Sequence, residues 1–463
     1  MTADPARFPL LPWPRRIEPR EGELALGAPE LALDPNLPPE GYTLDVGERG
    51  IRIGAADARG HFYARQALRQ LTRADGRVPA VRIEDEPRFA WRGLHLDVSR
   101  HFFPVAFIKR YVDLLATYRL NVFHWHLTDD QGWRLEIRKY PRLTEIAAWR
   151  RETIVGHART GPRRYDGRRH GGFYTQDEVR EVVAYARERG VEVLPEIEMP
   201  GHSVAALAAY PELACGAPPP EVATAWGIKE EVYCPTEPTF SFLEDVLGEV
   251  TDLFPFHYMH IGGDEAPKTR WRACPDAQEI IRRQGLRDED HLQSWFVTRI
   301  ERILHGLGRR LIGWDEILEG GLAPDATVMS WRGTKGGIAA AKAGHDVVMS
   351  PEEVLYFDHY QAGPATEPLA HGGLTTLEDV YRYEPVPDAL GPEEARQVLG
   401  PQGNVWTEYM PTPGDVERMA YPRALALAEI AWSSAEGRDL ASFLARVRAE
   451  LAWLDRLGVR YRR

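Results

Sequence analysis

The sequence predicts an α/β protein, a closed (β/α)8 TIM barrel preceded by a small α+β domain. From about residue 89 onward, short runs of β-branched and aromatic residues alternate with longer helical patterns, which is typical of repeated βα units around a parallel sheet. There are eight such runs, the number that closes a barrel. Before residue 89, short alternating strands surround one apolar-periodic helix. We therefore place the domains at 1–88 and 89–463.

The elements can be placed along the chain from the same patterns. In the first domain, alternation predicts strands at 42–46, 51–54 and 78–83, with a helix over HFYARQALRQL between the last two. The eight runs of the barrel begin at Gly93, Asn121, Val191, Tyr258, Arg309, Ala326, Asp346 and Gly403. The segment 130–172 is too long for an ordinary connection, so we expect it to cross the mouth of the barrel.

Composition excludes several classes of partner. The chain has 463 residues with 57 basic and 69 acidic side chains, and its net charge of -12 argues against nucleic acid or an anionic membrane surface. A neutral ligand fits better. No apolar run reaches the length of a membrane span, and the first residues lack the pattern of a secretory signal, so we expect a cytoplasmic protein. The sequence does not predict an oligomeric state.

Cysteine usage gives one open question. Cys215, Cys234 and Cys274 are too few and too irregularly spaced for a disulfide framework or a four-thiolate zinc site. Cys215 and Cys234 flank one loop, so a bridge between these two residues remains an alternative.

Polar and aromatic residues collect where the predicted strands end. The loops that follow barrel strands form one rim, and this rim carries the chemistry of such folds. The first four strands lead into Arg100, Asp129, His202 and the pair Asp264 and Glu265. The later strands lead into Trp314, Trp331, Tyr356, Asp358 and Trp406. Tryptophans in strands are often simply core residues. Several at strand ends beside carboxylates and an arginine instead suit a sugar, which has apolar faces and hydroxyl edges.

The run Gly262-Gly263-Asp264-Glu265 is the sharpest local signal. Two glycines allow a tight turn close to a ligand, and neighbouring carboxylates feel each other's charge. One of the two carboxyls is then expected to hold its proton more tightly. A carboxylic acid that stays protonated near neutral pH is what protonation of a glycosidic oxygen requires. The plain alternative is an exposed acidic turn.

A metal-dependent hydrolase is a competing hypothesis. His124 and His126 form an H-x-H pair at a strand end, and alternate residues of a strand face the same side. His202, His260 and Asp264 are available as further ligands. A lone H-x-H is a weak motif, however, and a metal site would leave the tryptophans unexplained. We therefore predict no metal and no cofactor.

Six ordered motifs resemble a known family. They are RGLHLDVSRHF (from Arg92), LNVFHWHLTDDQGWR (from Leu120), EIEMPGH (from Glu196), HIGGDE (from His260), GWDEI (from Gly313) and NVWTE (from Asn404). Together they resemble glycoside hydrolase family 20, the β-N-acetylhexosaminidases. The resemblance implies exo-acting, retaining hydrolysis of terminal non-reducing β-linked N-acetylglucosamine (GlcNAc) or N-acetylgalactosamine (GalNAc) in oligosaccharides or glycoconjugates. The acetamido group of the substrate is then the nucleophile, and the intermediate is an oxazolinium ion.

The resemblance also implies roles for individual residues. Glu265 matches the acid and Asp264 the carboxylate that orients the amide. Arg100 matches the arginine that holds the C3 and C4 hydroxyls, and Asp129 with His202 matches a pair that supports the acid. The remaining matches are Tyr356 for the acetamide oxygen, Asp358 near the C6 hydroxyl, Glu408 on the C4 side, and Trp314, Trp331 and Trp406 as pocket walls.

One stretch departs from the family pattern. After the seventh strand the chain reads SPEEVLYFDHYQ, with Glu352 and Glu353 where neutral or aromatic residues are more common in the family. A catalytically silent carbohydrate-binding protein is a further alternative. The presence of both Asp264 and Glu265 does not favour it.

Overall fold

The computed structural model describes residues 4–463 and confirms the predicted architecture, a closed barrel of eight parallel strands preceded by a small domain. The barrel strands are, in order, Gly93–Asp97, Val122–His126, Glu192–Glu196, Tyr258–His260, Arg310–Trp314, Thr327–Ser330, Val347–Met349 and Val398–Gly403. We name them barrel strands 1 to 8. They pair in this order, and strand 8 closes the barrel against strand 1.

Helices cover the outside of the barrel and its rim. Those of eight residues or more are Val105–Thr117, Gln176–Arg187, Glu237–Leu253, Pro275–Gln284, Glu289–Gly306, Lys335–Lys342, Pro413–Ala420, Arg423–Trp432 and Leu440–Arg456. Short helices lie at Arg142–Glu145, Val204–Ala209, Thr269–Ala273, Glu352–Leu355, Leu377–Arg382 and Pro392–Ala395. Between barrel strands 5 and 6 the described chain forms only a 3-10 turn, Asp315–Leu318.

The small domain is a five-stranded sheet covered by the helix Ala58–Leu71. The strands lie side by side in the order Arg16–Ala25, Arg77–Asp85, Tyr42–Gly47, Gly50–Ala55 and Glu30–Leu33. The sequence pattern does not predict the first and last of these strands. Their side chains are mostly exposed, so they lack the alternation of apolar and polar residues that marks a half-buried strand.

Barrel strand 8 corrects one prediction. The sequence predicts this strand from Gly403 onward, but the strand ends at that residue. Its own sequence, VLGPQG, contains glycine and proline, which are usually depleted in strands and therefore conceal it. The apolar segment that follows instead carries Trp406 and Glu408 to the rim.

The interior of the barrel has an apolar layer and, above it, a polar layer. Alternate residues of a strand face the same side, so Val122 and His124 both point inward, with the histidine nearer the rim. The apolar layer is formed by Val122, Leu194, Ile312 and Val348. Polar side chains lie above it, directly under the carboxyl ends of the strands. The interior of the barrel therefore presents polar side chains toward the carboxyl ends of its strands.

Candidate active site

A cavity of about 810 Å³ lies where the carboxyl ends of the barrel strands meet. Ten of the eleven predicted site residues line it: Arg100, Asp129, His202, Asp264, Glu265, Trp331, Tyr356, Asp358, Trp406 and Glu408. Trp314 does not. It is 1% exposed and lies beneath the cavity, with its ring 5.8 Å from that of Trp406. The expectation that Trp314 walls the pocket is therefore corrected, because its ring supports the wall from below.

The turn after barrel strand 4 carries Asp264 and Glu265 into the cavity. Gly262 and Gly263 have φ angles of +67° and +96°, which glycine adopts without strain. A Cβ atom at Gly262 would overlap the carboxylate of Glu198, so only glycine fits there. Glu265 itself has a φ of +44°, a left-handed conformation that is uncommon for residues other than glycine. This turn places two carboxyls next to each other at the cavity wall.

The two carboxyls have different proton affinities. Burial raises the pKa of Asp264 to about 6, with a further rise from the charges of Glu265 and Glu196, while the charge of His202 opposes it. Burial also acts to raise the pKa of Glu265. The hydrogen bond and charge of His202, together with the charge of Arg100, outweigh that effect and hold the pKa of Glu265 below its usual value. Asp264 is therefore the carboxyl that holds its proton more tightly, the reverse of the order that an acid role for Glu265 suggests.

His202 lies between the two predicted acidic groups and the end of barrel strand 2. Its Nδ1 is 3.2 Å from Oδ2 of Asp130 and 3.4 Å from Oδ1 of Asp129. Its Nε2 is 3.5 Å from Glu265 and 3.6 Å from Asp264. Burial acts to lower its pKa, but Asp129 and Asp264 raise the pKa well above the usual value, so the imidazole is protonated. The predicted contact with Asp129 is present, and Asp130 joins it.

Arg100 is held from three sides. Its guanidinium lies 2.7 Å from Asp129 and 3.4 Å from Asp97, and its Nε donates a 3.0 Å hydrogen bond to Gln131. The guanidinium carbon lies 5.1 Å from the ring centre of Trp406. Such a guanidinium has few orientations available to it, and its remaining N–H groups face the cavity that it lines.

Aromatic rings form the opposite wall. Trp331 and Tyr356 are nearly parallel, with ring centres 6.1 Å apart and planes inclined by 15°. The indole N–H of Trp331 donates a 2.8 Å hydrogen bond to Glu316. Burial and the charge of Asp264 raise the pKa of Glu316 to about 8. Glu316 lies in the motif GWDEI, and the sequence pattern predicts no role for it. In the structure its carboxyl orients the indole of Trp331.

Two carboxyls near barrel strands 7 and 8 have buried oxygens without partners. Asp358 is 3% exposed, and neither its Oδ1 nor the Oε2 of Glu408 has a hydrogen-bond partner within residues 4–463. Burial and the charge of Glu408 raise the pKa of Asp358 well above its usual value. Buried polar atoms of this kind are normally satisfied, so both residues are suited to bind a polar ligand.

Glu352, from the departing stretch, also lines the cavity. Burial, with the charges of Glu353 and Glu265, raises its pKa above the usual value. Glu353 is exposed. Further lining residues have no predicted role: Glu198, His157, Arg159, Arg163, Trp226, Lys229, His371 and Tyr409. Of these, only Glu198 lies in a motif that the sequence singles out, EIEMPGH. His157, Arg159 and Arg163 lie in the segment 130–172, which the sequence predicts to cross the barrel mouth, and Tyr409 directly follows the motif NVWTE. The remaining three come from loops without a pattern.

His124 and His126, the H-x-H pair of the metal hypothesis, lie beneath the cavity and are held by hydrogen bonds. The side-chain amide oxygen of Gln402 accepts a hydrogen bond from Trp91, so the amide nitrogen of Gln402 donates to Nδ1 of His124. Because Nδ1 of His124 accepts, Nε2 of His124 carries the proton. Both nitrogens of His126 face carboxylates, Glu196 and Asp129. These contacts are the hydrogen bonds expected of buried histidines whose ring nitrogens have polar partners.

The three cysteines lie together in a buried apolar cluster beside Trp271. Sγ of Cys234 is 3.0 Å from that of Cys215 and 3.5 Å from that of Cys274. All three are free thiols in the structure. The bridge between Cys215 and Cys234 is therefore not formed here, although the two residues are neighbours.

Comparison with known proteins gives the family. The profile of the glycosyl hydrolase family 20 catalytic domain matches residues 89–435, and that of domain 2 of the same family matches residues 11–86. The chain belongs to glycosyl hydrolase family 20. The resemblance in the motifs is thereby confirmed.

Individual relatives agree. A β-hexosaminidase of Porphyromonas gingivalis is 49% identical over 434 residues, covering 91% of this chain but only 54% of the relative. The chain thus spans about half the length of that protein. A solved exo β-N-acetylglucosaminidase of Vibrio harveyi in complex with N-acetylglucosamine has a TM-score of 0.89 at 33% identity, covering 99% of this chain and 78% of the other. A variant of Streptomyces plicatus β-hexosaminidase in complex with GlcNAc as product has a TM-score of 0.85 at 29% identity, covering 100% and 98%.

Within residues 4–463, none of the helices combines the length and the apolar character that crossing a bilayer requires.

Proposed function

We propose that this chain removes terminal, non-reducing β-linked GlcNAc or GalNAc with retention of configuration, through an oxazolinium intermediate formed by the substrate's own acetamido group. The observation that best supports this is the placement of Asp264 and Glu265 side by side in a cavity walled by aromatic rings. Attack of the acetamide oxygen on C1 requires one acid at the leaving oxygen and one anion beside the amide N–H. These two carboxyls supply both.

In the proposed reaction, Glu265 protonates the glycosidic oxygen as the bond from C1 to that oxygen breaks. The acetamide oxygen forms the new bond to C1, and Asp264 accepts a hydrogen bond from the amide N–H as positive charge develops. Water then attacks C1 from the side of the departed group as the bond from C1 to the acetamide oxygen breaks, which restores the acetamido group, and one proton of the water passes to Glu265. The configuration at C1 is thus inverted twice and retained.

The reactive form needs a proton on Glu265 and a charge on Asp264. Their pKa values make this a minor form of the free protein, because Asp264 holds its proton more tightly. A sugar that covers the cavity removes water from Glu265, which favours its neutral form and so raises the reactive fraction.

The other residues bind the sugar. Arg100 and Glu408 are assigned to the C3 and C4 hydroxyls, Asp358 to the C6 hydroxyl, and Tyr356 to the acetamide oxygen. Trp331 and Trp406 enclose the acetyl methyl and the pyranose face, with Trp314 beneath them. Asp129 and His202 are assigned to support the acid.

A comparison of leaving groups tests the proposal. Glu265→Gln should lower kcat about 10²–10⁴-fold on chitobiose, yet retain far more activity on aryl glycosides whose leaving group hardly needs a proton. Asp264→Asn should lower both, since it acts on the intermediate. Equal losses on the two substrates for Glu265→Gln would contradict the assignment of the acid. Release of the α-anomer first, observed by NMR, would contradict retention.

The substrates are oligosaccharides or glycoconjugates that end in β-GlcNAc or β-GalNAc. A hydrolysis panel of defined disaccharides identifies the preferred sugar and linkage. The cytoplasmic location stays a prediction, which fractionation of cells that express the full-length protein would test.

A further inference from the structure

A buried carboxylate, Glu196, lies at the centre of the polar layer beneath the cavity. It ends barrel strand 3 and is fully buried. The groups around it are the indole N–H of Trp314 at 2.8 Å, Nδ1 of His260 at 2.9 Å, Nε2 of His124 at 3.1 Å, Nε2 of His95 at 4.0 Å, and Nδ1 of His126, with which it forms a short hydrogen bond. Burial acts to raise the pKa of Glu196, but its contacts with His126 above all, and then with His260 and His124, hold that pKa well below its usual value.

His126 connects this carboxylate to the catalytic cavity. Its Nδ1 bonds Glu196 and its Nε2 lies 3.0 Å from Oδ2 of Asp129. Carboxylates only accept hydrogen bonds, so both ring nitrogens must donate and the ring is an imidazolium. The two carboxylates raise the pKa of His126 to about 10 against the effect of burial. His126 is therefore charged throughout the neutral range.

Asp129 contacts His126 and also both predicted functional cations, Arg100 and His202. Its Oδ2 lies 2.7 Å from the guanidinium of Arg100 as well as near His126. Its Oδ1 accepts a 2.6 Å hydrogen bond from the backbone of Asp130 and faces Nδ1 of His202 at 3.4 Å. Charges thus alternate from the barrel interior to both predicted functional cations.

We propose that Glu196 and His126 are positioning residues for the reaction: their ion pair fixes the Asp129 carboxylate, and through it both the guanidinium that binds the sugar and the imidazole beside the acid. Trp314 bonds the same Glu196, so the support of the aromatic wall shares this anchor. The inference rests on the proposed function, because it requires the roles assigned to Arg100 and His202.

Stability alone does not explain this arrangement. Desolvation offsets most of the attraction in a buried ion pair, and well-packed apolar residues often serve stability as well. The other titratable groups that face Glu196 or His126 are His95, His124, His260, Asp97 and Glu198, the last with Oε1 4.0 Å from Nδ1 of His126. Burying these charged groups costs desolvation free energy. A role in fixing the positions of Asp129, Arg100 and His202 above them accounts for that cost.

The first test is Glu196→Gln, which keeps the shape but removes the charge. The amide N–H₂ group then faces groups that now donate to the carboxylate, so His126 is expected to lose a proton and Asp129 to lose a fixed neighbour. We expect kcat/KM on an aryl β-N-acetylglucosaminide to fall about 30-fold, an effect of the size of a charged hydrogen bond. The alkaline limb of the pH profile should also shift.

A matched control is Glu429→Gln. Glu429 is 2% exposed and forms a buried ion pair with Arg446, away from the cavity. This variant should lower the melting temperature without changing kcat/KM or the pH profile. An equal kinetic loss in the control would attribute the effect of Glu196→Gln to general destabilisation and overturn the proposal.

Combination with Asp129→Asn tests the route. If Glu196 acts through Asp129, the double variant should lose little more activity than Asp129→Asn alone. Fully multiplicative losses would overturn the inference. If Asp129→Asn lowers kcat/KM but Glu196→Gln does not, only the inference about Glu196 is overturned. If Asp129→Asn leaves kcat/KM unchanged, the supporting role assigned to Asp129 in the proposed function is contradicted.

A spectroscopic measurement covers the case in which Glu196→Gln does not fold. In the unaltered protein labelled with [15N]histidine, a buried imidazole besides that of His202 should show both N–H signals at pH 8, and His126→Gln should remove that pair of signals. Absence of any such buried, doubly protonated imidazole other than His202 would overturn the proposal.

Discussion

The two halves of the catalytic cavity are built differently. In the half formed by barrel strands 1 to 3, Arg100, Asp129 and His202 each meet groups of opposite charge. In the half formed by strands 7 and 8, Asp358 and Glu408 have buried oxygens without a partner among the described residues. In the first half, ion pairs within the chain already hold the polar side chains in place. The second half has hydrogen-bonding capacity that a sugar's hydroxyls would satisfy.

The sheet beneath shows the same contrast. Strands 1, 2 and 3 pair in unbroken five-residue registers. Strand 7 pairs with strand 8 through a register shift between Val347 and Val348. A regular ladder holds side chains at fixed spacing, so a prearranged ion-pair network belongs on the first three strands. One part of the rim is thus held in place by the protein's own ion pairs, and the other part has buried polar groups left for a ligand.

The largest loss of activity is expected from a substitution in the turn after barrel strand 4, which lies between the two halves and carries Asp264 and Glu265. Gly262→Ala should reduce kcat/KM about 100-fold or more, because a Cβ at a φ of +67° is strained and overlaps the Glu198 carboxylate, so the turn that holds Asp264 and Glu265 must shift. Gly285→Ala is the matched control, since Gly285 has a φ of +65° but nothing within 4 Å of the added Cβ. It should cost about 1–2 kcal/mol of stability and leave kinetics unchanged. Similar kinetic losses in both variants would contradict the clash.

A loss of about 100-fold in kcat/KM is expected for Arg100→Lys in the prearranged half. Lysine keeps the charge but cannot bond Asp129, Asp97 and Gln131 at once with a planar fork. Steady-state kinetics on an aryl β-N-acetylglucosaminide measures it. A loss below about fivefold would show that charge alone suffices there, and would weaken the contrast between the halves.

The pH dependence should report Asp264. Its pKa is raised to about 6, so below pH 6 the carboxyl becomes protonated and no longer stabilises the developing positive charge. On an aryl substrate that needs no proton from Glu265, kcat/KM should fall about tenfold per pH unit below 6. Above pH 6, this group should cause no further change. An acidic limb near pH 4 would mean that burial does not raise this pKa.

The smallest effect is expected in the other half. Glu408→Gln keeps one acceptor oxygen, so kcat/KM should fall only about three- to tenfold, the range of a single hydrogen bond. The loss should appear mainly in KM, and it should change the ratio of activity on GlcNAc and GalNAc substrates, which differ at C4. A larger loss than for Arg100→Lys would reverse the order of the two halves.

Much of this arrangement could be predicted from sequence. The barrel strands are short apolar runs, and residues that directly follow them, such as Arg100 and Glu265, must reach the rim. Trp314 shows the limit: the last residue of a strand can line the cavity or lie beneath it, and the pattern does not distinguish these. Lys229 and Trp226 could not be found, because they lie in a long loop whose path depends on tertiary contacts rather than periodicity.

The backbone at the acid and at its histidine has a consequence for engineering. Glu265 and His202 have φ angles of +44° and +46°, conformations that cost a residue with a side chain about 1–2 kcal/mol each. Glycine would relieve that cost at both positions. At His202 the buried ion pairs outweigh that relief, whereas at the half-exposed Glu265 selection for heat resistance alone would favour glycine, which cannot supply the proposed acid's proton.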